Sequence, residues 1–355
     1  MENRGSKKTP METAEILHRF ERFTGKFPRT AVEEAVARRE AITPELLRIL
    51  EETVDRAAQI DAEGDYMAHL YAMFLLAQFR ETRAYPLVVR FALLPEDIQY
   101  SLCGDFITES LGQVLASVCG GDLAGIQSLI ENESADQWVR GAALSGLVTL
   151  VAAGQKSRDE IVSYFASLFR GKLARQWSHV WDTLVSYSSD LYAEELLDDI
   201  KQAYDEGLVD PGYIGFKHVK QDLALGKDRL FARLADDPHR RLVSDTVAEM
   251  EWWACFRDDS PNRAKSTAPA SAISGLSPVG PLLRSKGQRR RPARTNDALA
   301  GAARNTRSAA ALEVADHAAS VPGFDNGRVN EIRLYGTRGS TEPRASAAEL
   351  VAPLF

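Results

Sequence analysis

The residue types that can do chemistry are scattered along this 355-residue chain. Glu15-Ile16-Leu17-His18 has the i, i+3 spacing by which di-iron bundles present two ligands on one helix face. Such a centre needs a second Glu-x-x-His and two more carboxylates, and no second copy occurs. A surface or capping role suits Glu15 and His18 better. The six histidines (His18, His69, His179, His218, His239, His317) never pair at zinc spacing, and HExxH is absent. His69 and His179 hold similar places in two repeated segments, as packing histidines do. Gly154-Gln155-Lys156-Ser157 resembles the end of a P-loop without its upstream glycine or Gly-Lys pair. It reads as a turn, with Ser157 capping the next helix. No Gly-x-Ser-x-Gly elbow or dinucleotide fingerprint occurs. No catalytic residue, metal ligand or cofactor is therefore assigned.

Two groups remain as a possible interaction surface. Glu194, Glu195, Asp198 and Asp199 put four carboxylates at helical spacing, as a seat for a basic peptide or simply as a solvated face. Trp252-Trp253, beside Glu249 and Glu251, is a binding platform or, more simply, an aromatic plug over the last repeat. Arg284, Lys286, Arg289, Arg290, Arg291 and Arg294 form a basic patch without interleaved aromatics, a weak attractant for nucleic acid or anionic lipid.

The elements that must carry these residues repeat. Apolar helix patterns open at Asp65, Asp105, Trp138 and Trp177, each followed by a second pattern near Tyr85–Leu93, Asp122–Ile130, Arg158–Phe169 and Tyr192–Tyr204. That spacing matches two-helix solenoid repeats of the HEAT and armadillo kind. Ahead of them three short helices are expected within 11–60. One has Thr30 as N-cap, and one starts at Thr43 with Pro44 in its first turn. Leu70, Met73, Phe74, Leu75, Ala77 and Phe79 make the first repeat's opening helix apolar on nearly every side, which implies burial. Gly120-Gly121 ends one helix, and Asp122 caps the next. Leu223–Leu234 and Leu242–Cys255 read as two closing helices. The expectation is all-α, a HEAT/armadillo-like solenoid over 1–256.

After Phe256 the composition shifts to Ala, Arg, Ser, Pro and Gly without an apolar period. Residues 257–355 read as a low-complexity, disordered tail, a bias that a frameshift in GC-rich DNA also produces. Net charge is −7 overall, but +6 in 257–355 and hence −13 in 1–256. An acidic body argues against non-specific nucleic-acid binding. Cys103, Cys119 and Cys255 are too few for a disulfide framework, and the first two read as buried thiols. With no signal-type or membrane-spanning stretch, the expected place is the cytoplasm.

Several motifs together carry a family resemblance. They are Pro28-Arg29; the run Ala37-Arg38-Arg39-Glu40-Ala41-Ile42-Thr43-Pro44-Glu45-Leu46-Leu47; Tyr213-Ile214-Gly215-Phe216; and Ala248-Glu249-Met250-Glu251-Trp252-Trp253-Ala254-Cys255-Phe256. The chain resembles, over roughly 12–256, the bacterial family called domain of unknown function 1186. The resemblance implies a helical protein and assigns no activity. Some members carry a C-terminal SEC-C metal-binding tail, but no cysteine follows Cys255 here, so that role does not transfer. The expected function is a non-catalytic scaffold for an unknown protein partner. The alternative is an enzyme or a small-ligand or metal-binding protein with a site assembled between repeats.

Overall fold

The chain divides into two units, Met1–Leu283 and Arg284–Phe355. A computed structural model describes residues 11–257, all within the first unit. The tail expectation, and the basic patch in it, lie outside the described residues, Arg257 excepted. Among the described residues the secondary structure is helical, with one isolated bridge, Arg22 to Tyr66, and no strand. The all-α expectation holds. No helix among them is long and apolar enough to cross a membrane.

Four helices, not three, open the described chain: α1 (Thr13–Glu21), α2 (Arg29–Ala37), α3 (Arg39–Asp55) and α4 (Ala57–Glu63). The N-caps expected at Thr30 and Thr43 are not used. Thr30 lies inside α2, and α3 starts at Arg39 with Pro44 within it. The Thr43 hydroxyl instead donates to the Arg39 carbonyl, 2.7 Å away. Burial of Ile42, Leu46, Ile49 and Leu50 along one face outweighs the single helix bond that Pro44 forfeits.

Next come α5 (Ala68–Phe79), α6 (Tyr85–Phe91), α7 (Glu96–Cys103), α8 (Phe106–Glu109), α9 (Leu111–Val118), α10 (Ala124–Glu131), α11 (Gln137–Ala152) and α12 (Arg158–Ser167). After them come α13 (His179–Asp190), α14 (Leu197–Asp205), α15 (Phe216–Ala224), α16 (Lys227–Asp236) and α17 (Thr246–Met250). The opening helices pack in sequence: α5 on α9, α9 on α11, α11 on α13, α13 on α15. Their partners α6 and α10 also touch, as do α14 and the π-turn Leu168–Lys172 that ends α12. α5 buries every residue but Gln78, as its uniformly apolar sequence requires. The turn chemistry is largely as expected. Gly120 and Gly121 take positive φ, and Ser157 accepts the Glu160 N–H; Asp122 accepts the Ala124 N–H from one residue further out, the cap position of α10 falling on Leu123. The second opening helix is shorter than its sequence pattern. The stretch from Glu96 breaks into α7, α8 and α9, with Gly104 turning the chain between the first two.

α9 and α11 meet backbone to backbone. A Cβ on Gly112 would stand 2.7 Å from the Ala142 carbonyl oxygen, and one on Gly146 3.0 Å from that of Gly112. Neither neighbour is a flexible side chain, so the helices would have to part. Gly112→Ala is expected to destabilise the protein by about 1–3 kcal/mol despite alanine's better helix propensity. Urea denaturation checks this, and a gain in stability would mean that the contact is looser than described.

Candidate interaction surface

Helix α16 ends at Asp236, and the chain then runs back along the opening helices in reverse order. Between a 3-10 turn, Pro238–Arg240, and α17 the chain at 241–245 is non-helical, so its backbone groups need partners from elsewhere. The opening helices supply them. Gln113 of α9 donates to the carbonyls of Pro238 (3.2 Å) and Arg241 (3.0 Å). The Ser117 hydroxyl, one turn along, accepts the Val243 N–H at 3.0 Å. Arg80, just past α5, donates to the Val243 carbonyl at 2.6 Å. Gln78 of α5 accepts both the N–H and the hydroxyl of Thr246, at 2.9 and 2.7 Å. We call residues 238–256 the strap. Val243, Thr246 and Met250 are its fully buried anchors.

Arg240 fixes the start of the strap. It donates to Ser145 of α11 at 2.6 Å, and its guanidinium lies 4.9 Å from the Tyr187 ring centroid of α13. The far end closes on the N-terminal helices. Glu251 pairs with Arg29, Trp253 meets Phe74 edge-on at 5.8 Å, and Phe256 packs on Phe23 and Phe27 at 6.0 and 5.4 Å.

This corrects the reading of the Trp pair. Trp253 covers α5, not the last helices of the array, because the strap reverses direction; Trp252 is 51 % exposed. The second expected closing helix, Leu242–Cys255, shrinks to α17 for the same reason: Leu242 to Asp245 is extended backbone held by other helices' side chains.

The acidic run is less free than its sequence suggests. A 3-10 turn, Glu194–Leu196, precedes α14, so the four carboxylates do not share one helix. Glu195 receives two hydrogen bonds from Arg158, at 2.5 and 2.6 Å, which hold its carboxyl below the usual carboxylate range. Asp199 receives two from Arg170, and Glu194 accepts the Tyr192 hydroxyl. Asp198 is exposed. A shallow groove of about 330 Å³ lies beside these pairs, lined by Val162, Ser163, Ala166 and Leu196 among others. The pairs tie α12 and its π-turn to α14 and the turn before it.

The two histidines differ in environment. His69 is fully buried, its Nε2 2.9 Å from the Leu102 carbonyl, while its Nδ1 is buried without a partner. His179, at the start of α13, has Nδ1 3.5 Å from Asp182, whose other oxygen accepts the Asp210 N–H at 2.7 Å. Trp138 and Tyr213 pack on its ring at 4.2 and 5.0 Å. Desolvation, then the negative fields of Tyr187, Asp182 and Asp190, push the Tyr213 phenol up. Among the described residues no group of three or more His, Cys, Asp or Glu is placed to hold a metal. His18 and Glu15 face solvent, near Glu21 and Arg19 respectively. Cys103 and Cys119 are buried free thiols.

Sequence reading missed the strap's anchors, although they leave a trace. Gln113 and Ser117 are four residues apart in a wholly buried helix, and Gln78 is the one residue of α5 that is not buried. Polar side chains on buried faces call for partners.

The arrangement defines an all-helical protein whose opening helices hold a returning stretch of extended chain. The chain belongs to the family described as "Protein of unknown function (DUF1186)", whose model matches residues 11–257. It is similar to an uncharacterized protein of Chlamydia trachomatis serovar D, 39 % identical over 244 residues, covering 68 % of this chain and 96 % of the relative. It is equally similar to an uncharacterized protein of Chlamydia muridarum, 39 % identical over 244 residues, covering 68 % and 97 %. No solved structure matches.

Proposed function

We propose that residues 11–257 form a HEAT/armadillo-like helical-repeat scaffold that binds another protein and does no catalysis. The observation that carries this reading is the strap. Side chains from α5, α9 and α11 already bind an extended polypeptide, through its backbone and one inserted arginine. An extended repeat surface suits that task. Solvent-exposed aromatics suit a partner's contacts: Tyr100, Trp177, Tyr213 and Trp252 are each about half exposed.

The test is quantitative cross-linking and capture from cells that express the protein, comparing wild type with Trp177→Ala/Tyr213→Ala, together with a thermal-shift screen of metabolites and metals. A protein partner whose yield falls with the double substitution supports the scaffold. No partner, with a metabolite or metal raising Tm by several degrees, would favour a ligand site between repeats instead.

The same reading makes 258–355 separable. A chain ending at Arg257 is expected to melt within about 2 °C of the full chain. A Tm several degrees lower would place part of the tail in the folded unit.

A further inference from the structure

The strap is not uniform along its length. Up to Met250 it is pinned by fully buried residues, Val243, Thr246 and Met250. From Glu251 to Arg257 no residue is buried; each is half-buried or exposed. This end is held by one surface ion pair, Arg29–Glu251, and by three aromatic contacts, Trp253 on Phe74 and Phe256 on Phe23 and on Phe27. Its own backbone bonds are local: Trp253 N–H to Met250, Phe256 N–H to Trp253, Arg257 N–H to Ala254. Its hold on the helices is thus lighter than that of the buried stretch before it.

Beneath it lies a cradle of stacked rings. Phe20 stacks on Tyr71 at 4.6 Å, Phe27 packs on Tyr71 at 6.2 Å, and Phe74 meets Phe106 at 5.7 Å. α1, α2 and α5, which carry or flank these rings, also contact one another directly. Arg29 stands at the polar end of the cradle.

We propose that this cradle is a peptide-recognition site, which residues 251–257 occupy as a cis latch and which a partner protein fills with an acidic–aromatic segment. The pattern is read from the occupant itself: Glu251 for Arg29, Trp253 for Phe74, Phe256 for Phe23 and Phe27, hence Glu-x-Trp-x-x-Phe. This deepens the scaffold reading and rests on it. A tethered occupant competes at an effective concentration of about millimolar, so a partner engages only when its own segment outcompetes the latch or when the latch is released.

The probe is a labelled synthetic peptide of residues 248–257 carrying Cys255→Ser. It is titrated onto the full chain, wild type and Trp253→Ala/Phe256→Ala. The latch variant is expected to bind it at least about tenfold more tightly than wild type. Arg29→Glu within that variant should weaken binding by about fivefold or more. A variant that still melts cooperatively yet fails to bind, or binds no better than wild type, overturns the proposal. Hydrogen exchange on wild type gives an answer even if the variant does not fold. The Trp253 and Phe256 amides should exchange at least about a hundredfold faster than that of Thr246. Equal protection would mean that the latch does not open. A wild-type dimer abolished by the latch substitutions would make the occupant a second copy and remove the partner protein from the proposal. A captured partner indifferent to both the substitutions and the peptide would remove this site while leaving the scaffold reading intact.

Discussion

Leu147→Ala is expected to cost about 2–5 kcal/mol, in the upper half of that range. Leu147 is completely buried in a helix that packs against α8, α9, α10, α12 and α13. The size of the loss depends on whether the surroundings can collapse into the space left behind. Here the Gly112–Gly146 backbone contact already limits how far α9 and α11 can close, and on another side a Cβ at Gly141 would stand 3.3 Å from the Thr183 methyl. With α9 already in backbone contact with α11, much of the cavity would persist. Chemical denaturation of wild type and variant, with the slope checked for constancy, gives the number. A loss below about 0.5 kcal/mol would mean that the position is not part of the core.

Acid should destabilise the protein through His69, by about 3 kcal/mol between pH 7 and pH 4. Burial pushes this imidazole down from 6.5 to about 4, and only the Leu102 carbonyl opposes that shift. A carbonyl can only accept, so Nε2 carries the proton and the partnerless Nδ1 stays bare. Tyr66 and Phe91 flank the ring, and neither supplies a counter-charge at these pH values. Between about 6.5 and 4 the unfolded chain therefore takes up a proton that the native state refuses. Stability is complete above the unfolded value and is lost as pH falls toward the folded one. Carboxylates complicate the raw curve. Glu195, Glu206 and Glu81 are held low by arginines and add to acid lability, whereas burial holds Asp105, Glu109 and Glu249 high, with the opposite sign. The comparison that isolates His69 is wild type against His69→Leu at pH 7, 5.5 and 4.5. The gap between the two should shift in favour of the variant as pH falls. A gap that does not change with pH would exclude the histidine as the cause.

What could be read in the sequence, and what could not, follows from the range of the forces involved. α5 and α11 announce themselves because burial on all sides needs apolar residues at nearly every position. The turns at Gly120-Gly121-Asp122 and Ser157 were legible because their chemistry is local. The start of α3 was misread for the opposite reason: Thr43-Pro44 has the local form of a helix start, but the buried face from Ile42 to Leu50 sets the helix boundary. The acidic run looked like a free surface because its partners, Arg158 and Arg170, lie 37 and 29 residues away. The strap was hidden almost entirely. Its bonds run from side chains to backbone across 125 to 168 residues and leave no periodicity in either segment. Only Gln78, Gln113 and Ser117, polar residues within apolar helices, hinted at it.

The strap also bears on the protein's synthesis. Phe23, Phe27 and Phe74 leave the ribosome early, yet their covers, Trp253 and Phe256, are translated last of the described chain. At ~5–20 residues per second, the 229 residues from Phe27 to Phe256 take roughly 10–45 s to make. Throughout that interval the N-terminal helices can pair with one another but stay open along the face that the strap will close. The nascent chain thus carries an uncovered aromatic surface for most of its translation, a time long enough for a chaperone to bind and release it repeatedly. Ribosomes stalled before codon 250 should hold such a chaperone, and those stalled well beyond codon 257, with the latch clear of the exit tunnel, should shed it.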